Sequence, residues 1–342
     1  KGLIWTWSIP PFLVSDELPH FAYTQYLVEE EKIPKNTGEI QPRITTMPEE
    51  LEKASTLLQM THLVPSFSHM NFSEDYKSIP EEFNSYSRKV VEENYKNSAA
   101  IYSPLYYAIE AIPYILGYNL DIFTRFYLMR AFSLIFLFIT LIFVYKIALL
   151  ISGEKPFALI AAAIVALMPS VNSSSFGGIN NDATLIAFSQ IMFYLLLKTL
   201  KNLNLRPMAI IGNGIILGLT LLSKPQAVIF IPLIAGVFLY KGFKEKKMRQ
   251  VIIVLFAIFS IALIISAPFY ADPIKYFINN QGTAINQPQD ILSLKNIIPA
   301  IGFDIFRRIS LLLTFWTQTQ LFSVFYPFYI GSFIFGIELT AL

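Results

Sequence analysis

The stretch IFTRFYLMRAFSLIFLFITLIFVYKIALLI, residues 122–151, decides the fold. A helix needs about 20 mostly apolar residues to cross the ~30 Å hydrocarbon layer of a bilayer. This run exceeds that length and carries no charge between Arg130 and Lys146. Working outward, further apolar runs lie at 157–176, 183–197, 208–222, 227–240, 251–269 and 309–342. At the other end, residues 2–14 read as the outer end of a first span, closed by Pro10 and Pro11. The chain is therefore expected to begin inside its first membrane helix and to stop before its natural end.

Composition supports the same class. Hydrophobic residues make up 54% of the 342 and charged residues 15%, against about 25% charged in a soluble domain. Mean hydropathy is +0.51. One soluble core cannot hide that much apolar surface, whereas lipid can. The expectation is an all-α polytopic membrane protein. A net charge of +2 gives no reason to expect a nucleic-acid partner. With no cysteine, a disulfide framework, a thiolate metal site and a thiol nucleophile are all excluded.

The chain divides into the end of a first span (1–14), a polar loop with amphipathic helices (15–121), a transmembrane core (122–269), a second loop (270–305) and a C-terminal span (306–342). Basic residues in short loops set orientation. Three connections carry ten of them: Lys146, Lys155, Lys198, Lys201, Arg206, Lys241, Lys244, Lys246, Lys247 and Arg249. Placing these inside puts the loops at 15–100, 177–182, 223–226 and 270–305 outside. The first of those is acidic, with fifteen Asp and Glu against eight Lys and Arg over residues 16–100.

Four features on that outer side carry potential chemistry. Asp16 and Glu17 directly follow a span and supply carboxylates for general-base work; the plainer account is an acidic N-terminus on a helix over 18–31. The stretch Gly177-Gly178-Ile179-Asn180-Asn181-Asp182 either lines a polar cavity or makes an ordinary helix–helix turn. Lys224, between two apolar runs of about fifteen residues that are short for spans, is expected at a re-entrant dip facing a phosphate, or else as a snorkelling lysine. Arg125, Arg130, Arg307 and Arg308 lie near outer helix ends. Arg130 sits inside its apolar run and needs a partner there: a phosphate, a carboxylate such as Asp121, or a backbone carbonyl. Asp16, Glu17 and His20 also form a candidate site for a divalent metal, and Asn71 and Asn172 head glycosylation triplets.

Taken in order, Asp16-Glu17-Leu18-Pro19-His20, Ile101-Tyr102-Ser103-Pro104-Leu105-Tyr106-Tyr107, Met168-Pro169-Ser170, Gly178-Ile179-Asn180-Asn181-Asp182-Ala183 and Leu217-Gly218-Leu219-Thr220-Leu221-Leu222-Ser223-Lys224 resemble the GT-C superfamily of membrane glycosyltransferases. The similarity is closest to its protein-mannosyltransferase and aminoarabinose-transferase branch and to related uncharacterised bacterial and archaeal membrane proteins, and it covers residues 10 to about 240. Beyond 250 only hydropathy and Phe315-Trp316 match.

The resemblance implies a GT-C-like helix bundle with a large extracytoplasmic first loop in the cytoplasmic membrane. It implies transfer of a sugar from a polyprenyl-phosphate-linked donor to a glycan, lipid or protein hydroxyl. Asp16, with Glu17 beside it, maps to the catalytic base, and Lys224 to the donor-phosphate lysine, with Arg130 and Arg307 as further phosphate ligands. Asp182, Asn181, His20, Tyr102 and Tyr106 map to the substrate cavity. The aminoarabinose transferases have a Glu-Lys pair where this chain has Tyr102-Ser103, so that position cannot hold phosphate in the same way. The lumenal domain of the mannosyltransferases has no counterpart. A multi-pass transporter or flippase for a lipid-linked or anionic substrate is the alternative, and a non-catalytic scaffold a third reading.

Overall fold

The computed structural model describes residues 2–9, 11, 12, 14, 16–34, 47–57, 83, 85–90, 95, 97–168 and 176–279, the last nine as backbone only. Arg307, Arg308, Phe315, Trp316, His62, His69, Asn71 and Asn172 lie outside them. The described residues form an all-α membrane bundle.

The elements are α1 (Gly2–Ser8), α2 (Glu17–Glu29), α3 (Glu49–Leu57), α4 (Leu105–Leu116), α5 (Ile122–Ser152), α6 (Lys155–Leu167), α7 (Asp182–Lys201), α8 (Pro207–Ser223), α9 (Phe230–Lys244) and α10 (Met248–Asn279). Among the described residues four segments are long and apolar enough to cross a membrane: α5, α7, Pro225–Lys244 and Met248–Tyr270. Large apolar side chains along them face outward, Phe138 at 65% exposure and Phe256 at 75%, as a lipid-facing surface requires.

Local chemistry sets the boundaries. Asp121 caps α5 by accepting from the N–H groups of Phe123 (2.9 Å) and Thr124 (3.0 Å), and Gly153 ends it at φ 77°, a conformation glycine adopts without strain. At 31 residues, α5 is about 46 Å long, more than a ~30 Å hydrocarbon layer needs. Its surplus first turns pack against α4. Pro207 opens α8 at its first helical position. At the far end, Lys224 is extended (φ −158°, ψ 151°), because a residue before proline is pushed out of the helical region. A 3-10 turn, Pro225–Ile229, then leads into α9. The second apolar run therefore reaches spanning length, while α8, at 17 residues, stays short, and Lys224 sits at the turn between them.

Two apolar clusters build the interior. One joins α2, α4, α5 and the turn before α7 through Phe21, Tyr107, Phe126 and Phe176; the other joins α7 to α10 through Met192, Leu217, Phe238 and Ile258. The basic residues collect at one end of the bundle. There Lys201 donates to the Leu150 carbonyl, and Lys241 reaches the Lys201 carbonyl and pairs with Glu245. The ends of α1, α8 and α10 and the starts of α5 and α7 lie at the other.

Isoleucine side chains of α10 sit directly on glycines of α8. A Cβ built on Gly214 would meet Ile261 Cβ at 2.7 Å, and one on Gly218 would meet Ile265 Cβ at 2.8 Å. The four-residue step on both helices makes the pair parallel, with small residues at the crossing as membrane helices favour. Gly218→Val is expected to destabilise the detergent-solubilised protein by about 1–3 kcal/mol, the usual cost of overpacking. Gly212→Ala, where nothing lies within 4 Å, should leave the melting temperature equal or higher, because alanine is the better helix former.

Candidate active site at the loop end of the bundle

Adjacent carboxylates on a helix start point in different directions, and Asp16 and Glu17 part company here. Glu17 is completely buried. Its Oε1 accepts from Arg130 Nε at 2.7 Å and from the Ile179 N–H at 3.0 Å. Its Oε2 accepts from Arg130 Nη2 at 2.6 Å and from the Val14 N–H at 3.3 Å. A bidentate guanidinium–carboxylate pair of this kind is the strong form of the interaction. Arg130, equally buried, also donates to the carbonyls of Thr6 (3.0 Å) and Ile9 and lies over the Phe126 ring at 4.6 Å. It thereby neutralises the negative end of α1.

Arg130 finds a carboxylate partner as its position demands, and that partner is Glu17, while Asp121 caps α5. The Arg130 charge expected to face a phosphate is met here by Glu17, and both Glu17 oxygens, expected as base or metal ligand, already accept two donors each. Among the described residues no three His, Asp or Glu side chains gather as a metal site. Arg125 pairs likewise, with Glu50, and donates to Tyr114 Oη at 2.7 Å.

Asp16 is exposed and stands at the N-cap position with φ 63°. Its carboxylate makes no capping hydrogen bond. Asp tolerates this left-handed conformation, which turns the chain from α1 into α2 and sends neighbouring side chains apart.

Asp182 opens α7 and Lys224 follows α8, and the two form an ion pair, Nζ to Oδ1 2.5 Å. Their surroundings interlock. Ser103 donates to the Leu222 carbonyl, Asn181 Nδ2 donates to the Ser223 carbonyl at 3.4 Å, and the Tyr102 ring lies 5.1 Å from Lys224 Nζ. Tyr270 Oη donates to the Leu221 carbonyl at 2.8 Å. Segments 16–20, 102–107, 176–182 and 222–224 thus meet at one end of the bundle. Gly178 permits it: a Cβ there would come within 2.8 Å of Val14 Cγ1 and 3.1 Å of Glu17 Oε1.

His20, Tyr106 and Asn181 shape this region from behind. His20 is 3% exposed, bonded through Nδ1 to Tyr107 Oη at 2.7 Å and stacked between Tyr102 and Tyr107. Burial, and secondarily the Lys224 charge, push its pKa down to about 3. Tyr106 is buried with Oη 2.9 Å from Ser133 Oγ, which donates to Glu110 at 2.6 Å. Asn181 Oδ1 is buried with no hydrogen-bond partner among the described residues. None of the three presents an open polar group to a substrate; Tyr102 is half-buried and does face the pair. Arg307 lies outside the described residues.

Sequence reasoning missed Glu50, Glu29 and Glu110. Gln25 Nε2 donates to Glu50 at 3.0 Å, and Tyr114 and Tyr118 donate to Glu29 at 2.8 and 3.1 Å. For Glu50 the signal available was Arg125 in an apolar helix, which demands an acidic partner; Glu29 and Glu110, bonded to tyrosine and serine hydroxyls, had no such signal.

Glu17→Gln should lower stability by about 3–5 kcal/mol, because it strands a buried guanidinium; thermal unfolding in detergent would measure this. The neutral His20 sets a pH window. A histidine whose folded pKa lies below its unfolded value of 6.5 contributes stability that is complete above that value and is lost as pH falls toward the folded one. The melting temperature should begin to drop below about pH 6.5, and His20→Gln should flatten that early part of the curve.

No curated protein matches the chain. The model of a family described as predicted membrane protein (DUF2142) matches residues 1–335, nearly the whole sequence, and the chain belongs to that membrane-protein family.

Proposed function

We propose that this protein is a glycosyltransferase that moves a sugar from a polyprenyl-phosphate-linked donor to an acceptor hydroxyl at the outer face of the cytoplasmic membrane. The observation that carries the reading is the Asp182–Lys224 pair under the Tyr102 ring, with the segment that carries Asp16 tied to the same turn through Glu17, which accepts from the Ile179 N–H and is locked to Arg130. The GT-C resemblance supports it, since four of the five ordered motifs fall in that region. The ten basic residues favour the opposite end as cytoplasmic.

The chemistry needs few groups. The acceptor oxygen attacks the anomeric carbon, its proton passes to the Asp16 carboxylate, and the bond from that carbon to the phosphate oxygen breaks. The electron pair leaves with the lipid phosphate. Lys224, sheltered and aimed across the Tyr102 ring, compensates the charge on that oxygen. One displacement inverts the anomeric centre. Transporters place their sites near the bilayer midplane; these side chains stand at helix ends, which favours surface chemistry over passage.

In liposomes supplied with a radiolabelled polyprenyl-phosphate hexose and a mixed acceptor pool, Asp16→Asn should cut transfer by about 10²- to 10⁴-fold with an unchanged melting temperature. Full transfer by Asp16→Asn would remove the residue from its role. Counter-transport of the lipid-linked sugar without transfer in the unaltered protein would replace the enzyme reading with the transporter one.

A further inference from the structure

We propose that the Asp182–Lys224 ion pair is a latch opened by the donor's phosphate, so that donor binding releases Asp182 and precedes engagement of the acceptor. This rests on the reading of Lys224 given above and adds a second role to its partner. The pair is asymmetric: the lysine side chain is 12% exposed and the aspartate 39%. A sheltered ammonium near the lipid boundary needs an anion at all times. It can exchange one anion for another far more readily than it can lose both.

Lys224 is held without help from Asp182. The extended backbone before Pro225 fixes its main chain, the Ser103 hydroxyl and the Asn181 amide grip the two carbonyls before it, and the Tyr102 ring supports the ammonium. Asp182 is anchored by its backbone, its N–H donating to Asn180 Oδ1 at 2.9 Å, so a change of rotamer carries the carboxylate off Lys224 while α7 stays in place. A phosphate arriving at Lys224 replaces one negative charge by another. The released carboxylate then stands at the start of α7, on the same side as Asp16, where an acceptor hydroxyl can donate to it.

The incoming phosphate is borne by a lipid. Immediately after Lys224, Val228 is 57% exposed and Ile229 63% exposed, an apolar ledge on the surface of a membrane-crossing segment. A hydrocarbon chain lying there would set its headgroup beside the ammonium. A free phosphate ion gains nothing from that ledge.

The test is the sign of one effect. Farnesyl phosphate is titrated against the purified protein in detergent by isothermal calorimetry, with inorganic phosphate as the second arm. Asp182→Asn removes the internal competitor and should bind farnesyl phosphate about three- to fivefold tighter, the extent of competition a partly exposed pair can exert. Lys224→Met should bind it about tenfold or more weakly, as loss of a charge-assisted contact predicts. Affinity unchanged or weakened in Asp182→Asn overturns the latch while leaving Lys224 as the phosphate ligand. Unchanged affinity in Lys224→Met overturns the donor reading itself. Inorganic phosphate binding as tightly as farnesyl phosphate overturns the lipid-borne source. Should Asp182→Asn not fold, Asp182→Ala carries the same expectation.

Discussion

Burying a carboxylate and a guanidinium together exchanges two strong hydrations for one interaction, and the exchange is viable only when every donor and acceptor is matched. Glu17 and Arg130 meet that condition, and the architecture around them is what meeting it requires. The guanidinium comes from α5, the carboxylate from the first turn of α2, and the remaining donors from Val14 and the Ile179 backbone. The remaining acceptors are the last carbonyls of α1. Segments 113 and 162 residues apart in sequence are thus pinned to one point. The turn carrying Asn180, Asn181 and Asp182 is placed by the same hydrogen bond that saturates Glu17.

A second buried arginine repeats the device one tier away. Arg125 gathers Glu50 from α3 and Tyr114 from α4, and Tyr114 in turn holds Glu29 at the end of α2. The polar loop between the first span and α5 is therefore fastened to the bundle by charge as well as by its aromatic contacts. This sorts the ionisable side chains by burial. Those fully enclosed (Glu17, Glu50, Arg125, Arg130) are committed to one another. Asp16 and Asp182 keep solvent access, the latter while paired with Lys224.

Much of the bundle was readable from periodicity-free apolar runs and from the placement of lysines, because lipid solvation acts on composition rather than on detailed packing. The convergence of the Asp16, Asp182 and Lys224 segments was readable from their order and shared side. What was not readable was the division of labour between Asp16 and Glu17. Asp16 stands in the left-handed turn before α2 and Glu17 in its first turn, so the two side chains diverge, and which one turns inward depends on where Arg130 arrives from a distant helix. The same holds for His20, Tyr106 and Asn181: their residue types suit a substrate cavity, yet their burial is decided by the aromatic layer from α4. The glycine contact at Gly214 and Gly218 and the aspartate partner of Lys224 were not legible, because α8–α10 and α7–α8 packing alone bring those residues together.

The glycine contact between α8 and α10 has a mechanical corollary. With isoleucines seated directly on the glycine backbone, neither helix can slide along the other by a fraction of a turn; relative translation is allowed only in steps of about 5.4 Å, where the next notch would have to be another glycine. The residue after Ser223 consequently inherits a fixed height along the bundle axis, set by interlocking shapes well below it. The Lys224 ammonium is thereby referenced to the α8–α10 contact and not to the mobility of its own side chain.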